Sequence, residues 1–303
     1  MAIMKVYTKE KEKKWWHGLR FAKDYLLNEL ETRKLMKTEL SEPGVTSKKR
    51  KVQVVVSLTS YPKRIGTIHQ DIKTLLNQTF KPDHVILSLA IEQFPGKEKD
   101  LPLELLLLRD FGLEIKWTED IRSYKKLVPI YEEYKQHIIV TADDDLYYSR
   151  DWLEKLYKGY QKDPYNIQCN VVNAFFIDEN KDIYQLRDQR VYHKEASYLN
   201  SLVGFGGVLY PPMCLYEDIT EKELFMNLAP TNDDLWFWAM GILKGTRVRV
   251  IEKNNLIGKT IKETVGEGLT YLNNGDNSPF LQQLGNILNH YPKIQEKLLS
   301  ESI

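Results

Sequence analysis

Ile138-Ile-Val-Thr-Ala-Asp-Asp-Asp145 is a short apolar run that ends abruptly in three consecutive carboxylates. A run of this kind suits a strand buried on both faces, with its polar end marking where the chain leaves the core. Upstream, the same signal recurs in Val52-Gln-Val-Val-Val-Ser-Leu58, in His84-Val-Ile-Leu-Ser-Leu-Ala90 and in Leu113-Glu-Ile-Lys-Trp117. Between these runs, Ile65, Ile68, Ile72, Leu75 and Leu76 fall at helical spacing and residues 101–109 read as an apolar helix. Tyr124, Leu127, Val128, Tyr131 and Tyr134 mark one more helix. This order predicts an α/β fold: an open, mostly parallel sheet with right-handed crossovers, flanked by helices. Ligands of such sheets bind at the carboxyl ends of the strands. Polar clusters follow three of those ends: Thr59-Ser-Tyr-Pro-Lys-Arg64, Glu119-Asp-Ile-Arg122 and Asp143-Asp-Asp145.

Beyond residue 165 the pattern changes. Strand-like pieces at 168–177, 183–191 and 203–210 are separated by turns, followed by a tryptophan-rich helix at 233–243 and a short strand at 247–251. Residues 1–50 stand apart. They carry 13 Lys/Arg against 7 Asp/Glu, a net +6, while the other 253 residues carry 30 against 35, a net −5. Trp15, Leu19, Ala22, Leu26 and Leu30 share one helical face. Paired Trp15 and Trp16 beside a lysine cluster suit the surface of an anionic membrane; packing on the body of the protein or on another subunit is the alternative. Ser41-Glu-Pro-Gly-Val-Thr-Ser-Lys-Lys-Arg50 reads as a linker. The division expected is therefore a basic amphipathic extension at 1–50 and a catalytic domain at 51–303.

Composition narrows the function. A net charge of +1 argues against a nucleic-acid polymer as partner. Two cysteines, Cys169 and Cys214, exclude a disulfide scaffold and four-cysteine zinc sites. No run approaches ~18 apolar residues and no signal-peptide core is present at the start, so a cytoplasmic location is expected, peripheral on the inner membrane face if the basic helix docks there.

Three adjacent aspartates repel one another unless a cation intervenes. Mn2+ or Mg2+ prefers oxygen ligands and keeps waters and substrate phosphates in its shell. In extended chain, Asp143 and Asp145 face one way and Asp144 the other, which makes the first two candidate metal ligands. A solvated acidic turn is the structural alternative. Asn232-Asp-Asp-Leu-Trp236 is a second acidic pair, at a helix start where the dipole and free N–H groups favour carboxylates. Capping accounts for one aspartate better than for two. Gly204-Phe-Gly-Gly-Val-Leu-Tyr-Pro-Pro212 combines glycines that permit close approach with aromatics able to stack on a sugar. Trp236 and Trp238, two apart on one helix, are expected to divide between core and site.

Val54-Val-Val-Ser-Leu-Thr-Ser-Tyr-Pro-Lys-Arg64, Lys125-Lys-Leu-Val-Pro129, Val140-Thr-Ala-Asp-Asp-Asp-Leu-Tyr-Tyr148 and Pro230-Thr-Asn-Asp-Asp-Leu-Trp236, in this order, resemble bacterial glycosyltransferases of the GT-A fold, and are similar to glycosyltransferase family 2. The resemblance covers roughly residues 52–275. It implies nucleotide-binding and acceptor-binding halves in one domain, a nucleotide-diphospho-sugar donor such as a UDP-sugar, Mn2+ or Mg2+, and a glycan or lipid-linked acceptor in cell-surface polysaccharide assembly. By motif position it implies donor contacts from Thr59, Ser60, Pro62, Arg64, Glu92, Asp120, Lys125 or Lys126, Asp143 and Asp144. It implies metal ligation by Asp145 and Asp143, acceptor contacts from Gly206, Gly207 and Trp236, and a general base at Asp234, with Asp233 the close second. Many relatives add a late histidine ligand; here His290 is the one histidine after Asp234. Residues 266–277 read as a loop able to close over the donor.

Two other classes stay in view. A nucleotidyltransferase on sugar phosphates usually carries a glycine-rich loop after its first strand, yet here no glycine occurs until Gly66. A non-catalytic sugar-nucleotide-binding protein would tolerate loss of Asp233 and Asp234, and both are present.

Overall fold

The computed structural model describes residues 6–9, 30, 32–186, 191–251 and 279–301. Val54–Thr59 (β2) is the central parallel strand, and its apolar residues explain why. Val55 packs into one core while Val54, Val56 and Leu58 pack into another, because successive strand residues face opposite sides of a sheet. His84–Ala90 (β3) and Leu113–Thr118 (β4) follow in parallel on one side of β2. Ile138–Thr141 (β5) returns to pair in parallel on the other side. The chain thus reverses direction across the sheet between β2 and β5, and such a switch opens a crevice beyond the strands' carboxyl ends.

The second half is antiparallel. The two longest strands, Ile167–Ile177 (β6) and Asn200–Tyr210 (β8), pair with each other, β8 pairs with β5, and Ile183–Leu186 (β7) pairs with β6. Val6–Lys9 (β1) runs parallel to β7, and Val248–Val250 (β9) parallel to β6. Among the described residues the order is β1-β7-β6-β8-β5-β2-β3-β4, with β9 branching from β6. An open, mostly parallel α/β sheet flanked by helices is the expected fold class.

Ile68–Leu76 (α1), Leu103–Leu106 (α2) and Trp152–Lys162 (α4) cover the face holding Val56 and Leu58. Val128–Tyr134 (α3), Lys222–Leu228 (α5), Asp233–Lys244 (α6), Pro279–His290 (α7) and Pro292–Ser300 (α8) cover the other. The helix expected across 124–134 is divided in two. Arg122–Lys126 is a 3₁₀ turn, and Pro129 then sits in the first turn of α3, where its missing N–H costs nothing.

The N-terminal helix, apart from its last residue, Leu30, lies outside the described residues, as do residues 187–190 and the loop at 266–277. Residues 32–36 are helical, and Leu35 packs on Tyr147. The expected linker is docked along the body: Gly44 N–H donates to Phe111 O, Thr46 N–H to Pro82 O, and Arg50 pairs with Asp83 at 3.0 Å. Cys169 and Cys214 are buried and unpaired. No described helix is long and apolar enough to cross a membrane.

Candidate functional site

Ser60 follows β2 and Asp143-Asp-Asp145 follows β5, so both stand at the switch between these strands. Asp144 is the anchored member of the three. Ser60 Oγ donates to its Oδ2 at 2.6 Å, and Arg64 Nη1 bonds its Oδ1. The other arm of the guanidinium meets Asp145 Oδ2 at 3.0 Å, so one planar fork spans two neighbouring carboxylates. Burial opposes the charge on Arg64, but Asp144 and Asp145 outweigh it and hold its pKa above the usual value. Burial raises Asp145, with Arg64 opposing. Behind them α1 supplies Asp71, buried, with an Oδ2 that has no hydrogen-bond partner. Burial, then Asp144 and Asp145, push its carboxyl well above the usual range.

A second group forms where the 3₁₀ turn Arg122–Lys126 meets the start of α6. Asn232 caps α6 through its side chain, accepting from Leu235 N–H at 3.1 Å, which leaves both following aspartates free of that duty. Asp233 takes Ser123 Oγ at 2.7 Å and Lys126 Nζ at 2.8 Å. Asp234 lies 3.4 Å from the same Nζ and accepts Gly204 N–H at 2.7 Å. Burial works against the Lys126 charge, yet Asp233, Asp234 and Asp143 together raise its pKa well above the ordinary lysine value. Asp234 is raised by burial and by Asp233, against the pull of Lys126. The turn is fastened elsewhere too: Tyr124 hydroxyl donates to Ala229 O at 2.7 Å, and Arg122, at φ +56°, donates to Pro230 O at 2.8 Å.

Strand β8 joins the two groups. Gly206 N–H donates to Asp143 Oδ2 at 3.2 Å, two residues after the Gly204 N–H that holds Asp234. A side chain at 204 would strike Asp234 and Lys126, since a Cβ there would lie 2.7 Å from Asp234 Oδ1 and 3.0 Å from Lys126 Nζ. Burial pushes the Asp143 carboxyl up to about 8; Lys126 opposes, while Asp145 and Asp234 add to the rise.

The other expected donor residues divide. Asp120 accepts from Lys125 Nζ at 2.6 Å, from Gln93 at 2.7 Å and from Arg122 N–H at 3.0 Å. Burial opposes its charge, but these donors win and lower its pKa. Glu92 and Pro62 are exposed at the carboxyl ends of β3 and β2. Thr59 Oγ1 donates to Ser88 O at 2.8 Å and ties β2 to β3. Lys125 and Lys126 are both buried with their ammonium groups on carboxylates, so in this state neither is turned toward a phosphate.

Trp236 requires correction. It is fully buried, with its indole N–H on Ile219 O at 3.3 Å, and Trp238 is buried beside Tyr198, so neither lines an acceptor site. The reason is that α6 is covered on all sides from Leu235 to Ile242, which a one-faced helix pattern does not anticipate. Gly206 and Gly207 are buried too; they pack on Trp152 and lend the site a backbone N–H, with no open surface of their own. His290 is exposed at the end of α7 against Tyr291. Ser123 and Asp71 lie outside the motifs read from the sequence, and Gly204, marked there as a glycine permitting close approach, holds a carboxylate. Nothing local in the sequence marks Ser123, whose partner is 110 residues away, or ties Gly204 to Asp234, 30 residues on. Asp71 carried a signal, a charge set inside the apolar stripe of Ile68, Ile72 and Leu75.

Among the described residues six carboxyl groups, Asp71, Asp143, Asp144, Asp145, Asp233 and Asp234, share two cations, Arg64 and Lys126. No described group of three acidic, histidine or cysteine side chains has metal-binding geometry. An oxygen-only donor set with surplus negative charge and two partly open carboxylates, Asp143 and Asp145, fits a hard divalent cation that completes its shell with water and phosphate oxygens.

No protein-family model and no curated protein matches the chain. Solved structures match loosely. CMP:2-keto-3-deoxy-manno-octonic acid synthetase complexed with CTP is 15% identical over 74% of this chain and 98% of its own, with a TM-score of 0.42. Mannosyltransferase PcManGT from Pyrobaculum calidifontis, in complex with GDP-Man and Mn2+, is 13% identical over 92% and 81%, at 0.42. S. aureus TarS 1-349 in complex with UDP-GlcNAc is 11% identical over 68% and 57%, at 0.44.

Proposed function

We propose that the protein is a metal-dependent, inverting glycosyltransferase that moves a sugar from a nucleotide-diphospho-sugar, a UDP-sugar by preference, to a hydroxyl of a glycan or lipid-linked acceptor in cell-surface polysaccharide synthesis. One observation carries this reading. Two acid groups meet beside the interior strands β5 and β8, and each contains a carboxylate that is fastened and a neighbour left partly open: Asp144 and Asp145 after β5, Asp233 and Asp234 on α6.

The donor lies in the crevice between β2 and β5, its nucleotide against Thr59, Ser60, Pro62 and Arg64 and its nucleoside toward Asp120 and Glu92. A divalent cation held by Asp145 and Asp143 would offset the charge of the leaving diphosphate. Asp234 is the general base. Burial and Asp233 raise its pKa, which makes it a stronger base than an ordinary carboxylate, and its open side lets a hydroxyl approach. The acceptor O–H gives its proton to Asp234 while the oxygen bonds to the anomeric carbon and the carbon–oxygen bond to the diphosphate breaks, inverting the centre. Asp233, closed by Ser123 and Lys126, holds Lys126 and through it the neighbouring carboxylate. Residues 51–303 form the catalytic domain in this proposal, with 1–50 as a basic extension toward an anionic membrane surface.

The test is a thermal-shift screen of nucleotide-sugars with and without Mn2+, since a ligand bound by the folded state alone raises Tm. A metal-dependent rise with one or more nucleoside diphosphate sugars supports the reading; no rise with any of them counts against it.

A further inference from the structure

β4 ends the parallel side of the sheet. Among the described residues it pairs with β3 alone, and no strand lies along its other side. Ile91 N–H donates to Thr118 O at 2.9 Å, which fixes the phase of the strand. Each residue of a parallel strand directs its N–H and C=O to one side, and successive residues alternate. Glu114, Lys116 and Thr118 therefore bond toward β3, while Leu113, Ile115 and Trp117 direct their main-chain groups outward. An edge of this kind is a template for another strand.

The side chains alternate between faces. Leu113, Ile115 and Trp117 pack with the core that holds Val56 and Leu58. Leu103 and Leu107, in the helical turns that lead into β4, are exposed on that same side of the sheet. Glu114 and Lys116 stand on the other face, Glu114 2.6 Å from His84 and Lys116 2.9 Å from Glu133. Both carboxylates are exposed, and exposed ion pairs of this kind change partners at little cost.

A lysine on an edge strand commonly guards against pairing. Here it stands two residues from a glutamate, and Leu113-Glu-Ile-Lys-Trp117 is complementary to itself. Turned antiparallel about Ile115, Glu114 of each copy lies opposite Lys116 of the other, so two opposite-charge pairs form across the axis. In that register the hydrogen-bonded pairs fall on Ile115 with its counterpart and on Leu113 with Trp117, the residues whose main-chain groups point outward. A slip of two residues keeps those bonds but sets glutamate against glutamate or lysine against lysine. A slip of one brings residues already bonded to β3 against the partner. Charge and hydrogen-bond phase thus select one register.

We propose that β4 is a dimerisation edge, at which two copies of this chain join antiparallel about Ile115 into one continuous sheet. A twofold axis there makes the contact self-complementary and closed. β3 and β2 lie between β4 and β5, so the contact covers neither crevice, and the two crevices open toward opposite edges of the joined sheet. The contact is independent of the proposed reaction.

Sedimentation velocity and light scattering on the full chain should give twice its mass of 35.6 kDa at high concentration. Glu114→Lys and Lys116→Glu should each raise the dimer Kd about tenfold or more, because each sets two like-charge pairs across the axis. An equimolar mixture of the two variants should dimerise again, since opposite charges then face each other in both pairs. Misfolding of either variant cannot produce that rescue. A wild-type monomer at every concentration overturns the proposal, as does a dimer that neither variant weakens or a mixture that stays monomeric.

Discussion

The acid group after β5 and the acid group at the start of α6 use the same parts to different ends. In each, one aspartate is closed by a serine hydroxyl and a cation: Asp144 by Ser60 and Arg64, Asp233 by Ser123 and Lys126. In each, the neighbouring aspartate shares that cation at longer range and stays more open. The Asp144 and Asp233 side chains are 10% and 6% exposed, Asp145 and Asp234 25% each. The cations differ. Arg64 grips two carboxylates with one planar fork, whereas Lys126 is a point charge that leans toward Asp233. The pairing teaches how each group is built: the closed carboxylate fixes the cation, and under the proposed function the more open one is the one that meets metal or acceptor.

Asp145→Ala should have the largest effect on the first group. Calorimetry with Mn2+ and a nucleoside diphosphate should lose its metal-dependent signal; unchanged binding would remove Asp145 from the metal site and break the parallel. Lys126→Met comes next. It leaves Asp233 buried without its cation, and losing one partner of a buried pair costs ~3–5 kcal/mol. Chemical denaturation should show that loss, and a value near zero would mean that Asp233 does not need Lys126.

Smaller effects sharpen the comparison. Ser123→Ala and Ser60→Ala each remove one hydroxyl from a buried carboxylate, worth about 1–3 kcal/mol. Ser123→Ala should lower kcat with donor Kd unchanged, while Ser60→Ala should weaken donor binding; equal effects of both on one parameter would erase the division between groups. The smallest is a pH effect. Asp143 titrates near 8 in the folded protein, above the ordinary carboxylate range, so between about pH 4 and 8 the folded state holds a proton that the unfolded state has lost. Stability contributed by that proton falls as pH rises through this window. Without divalent cations, Asp143→Asn should match wild type in Tm near pH 4 and exceed it increasingly toward pH 8. A constant difference across the range would contradict the shift.

Much of the parallel half was legible. Val54-Val-Val56 and Ile138-Ile-Val140 are apolar at every position because both faces of those strands are covered, and the acid after Ala142 follows from chain leaving that core. Pro129 marked a break that apolar periodicity alone ran through. The second half was less legible because its determinants are remote. Nothing near Lys126 states that Asp233, 107 residues on, will take its charge, and a lysine beside a candidate phosphate site reads as a phosphate ligand until the fold is known. Trp236 failed for a related reason: α6 is enclosed between β8 and the last two helices, so its faces do not sort into inside and outside.

The proposed role of the more open carboxylate is tested most directly by the kcat of Asp234→Asn beside that of Asp233→Asn, each with donor affinity measured by calorimetry. Asp234→Asn should lose transfer by at least about a thousandfold while binding donor as wild type does, because the acceptor proton then has no base to take it. Asp233→Asn should retain measurable turnover at reduced stability. Sustained turnover by Asp234→Asn, with the loss falling on Asp233→Asn, would contradict the assignment of the open carboxylate to the chemistry.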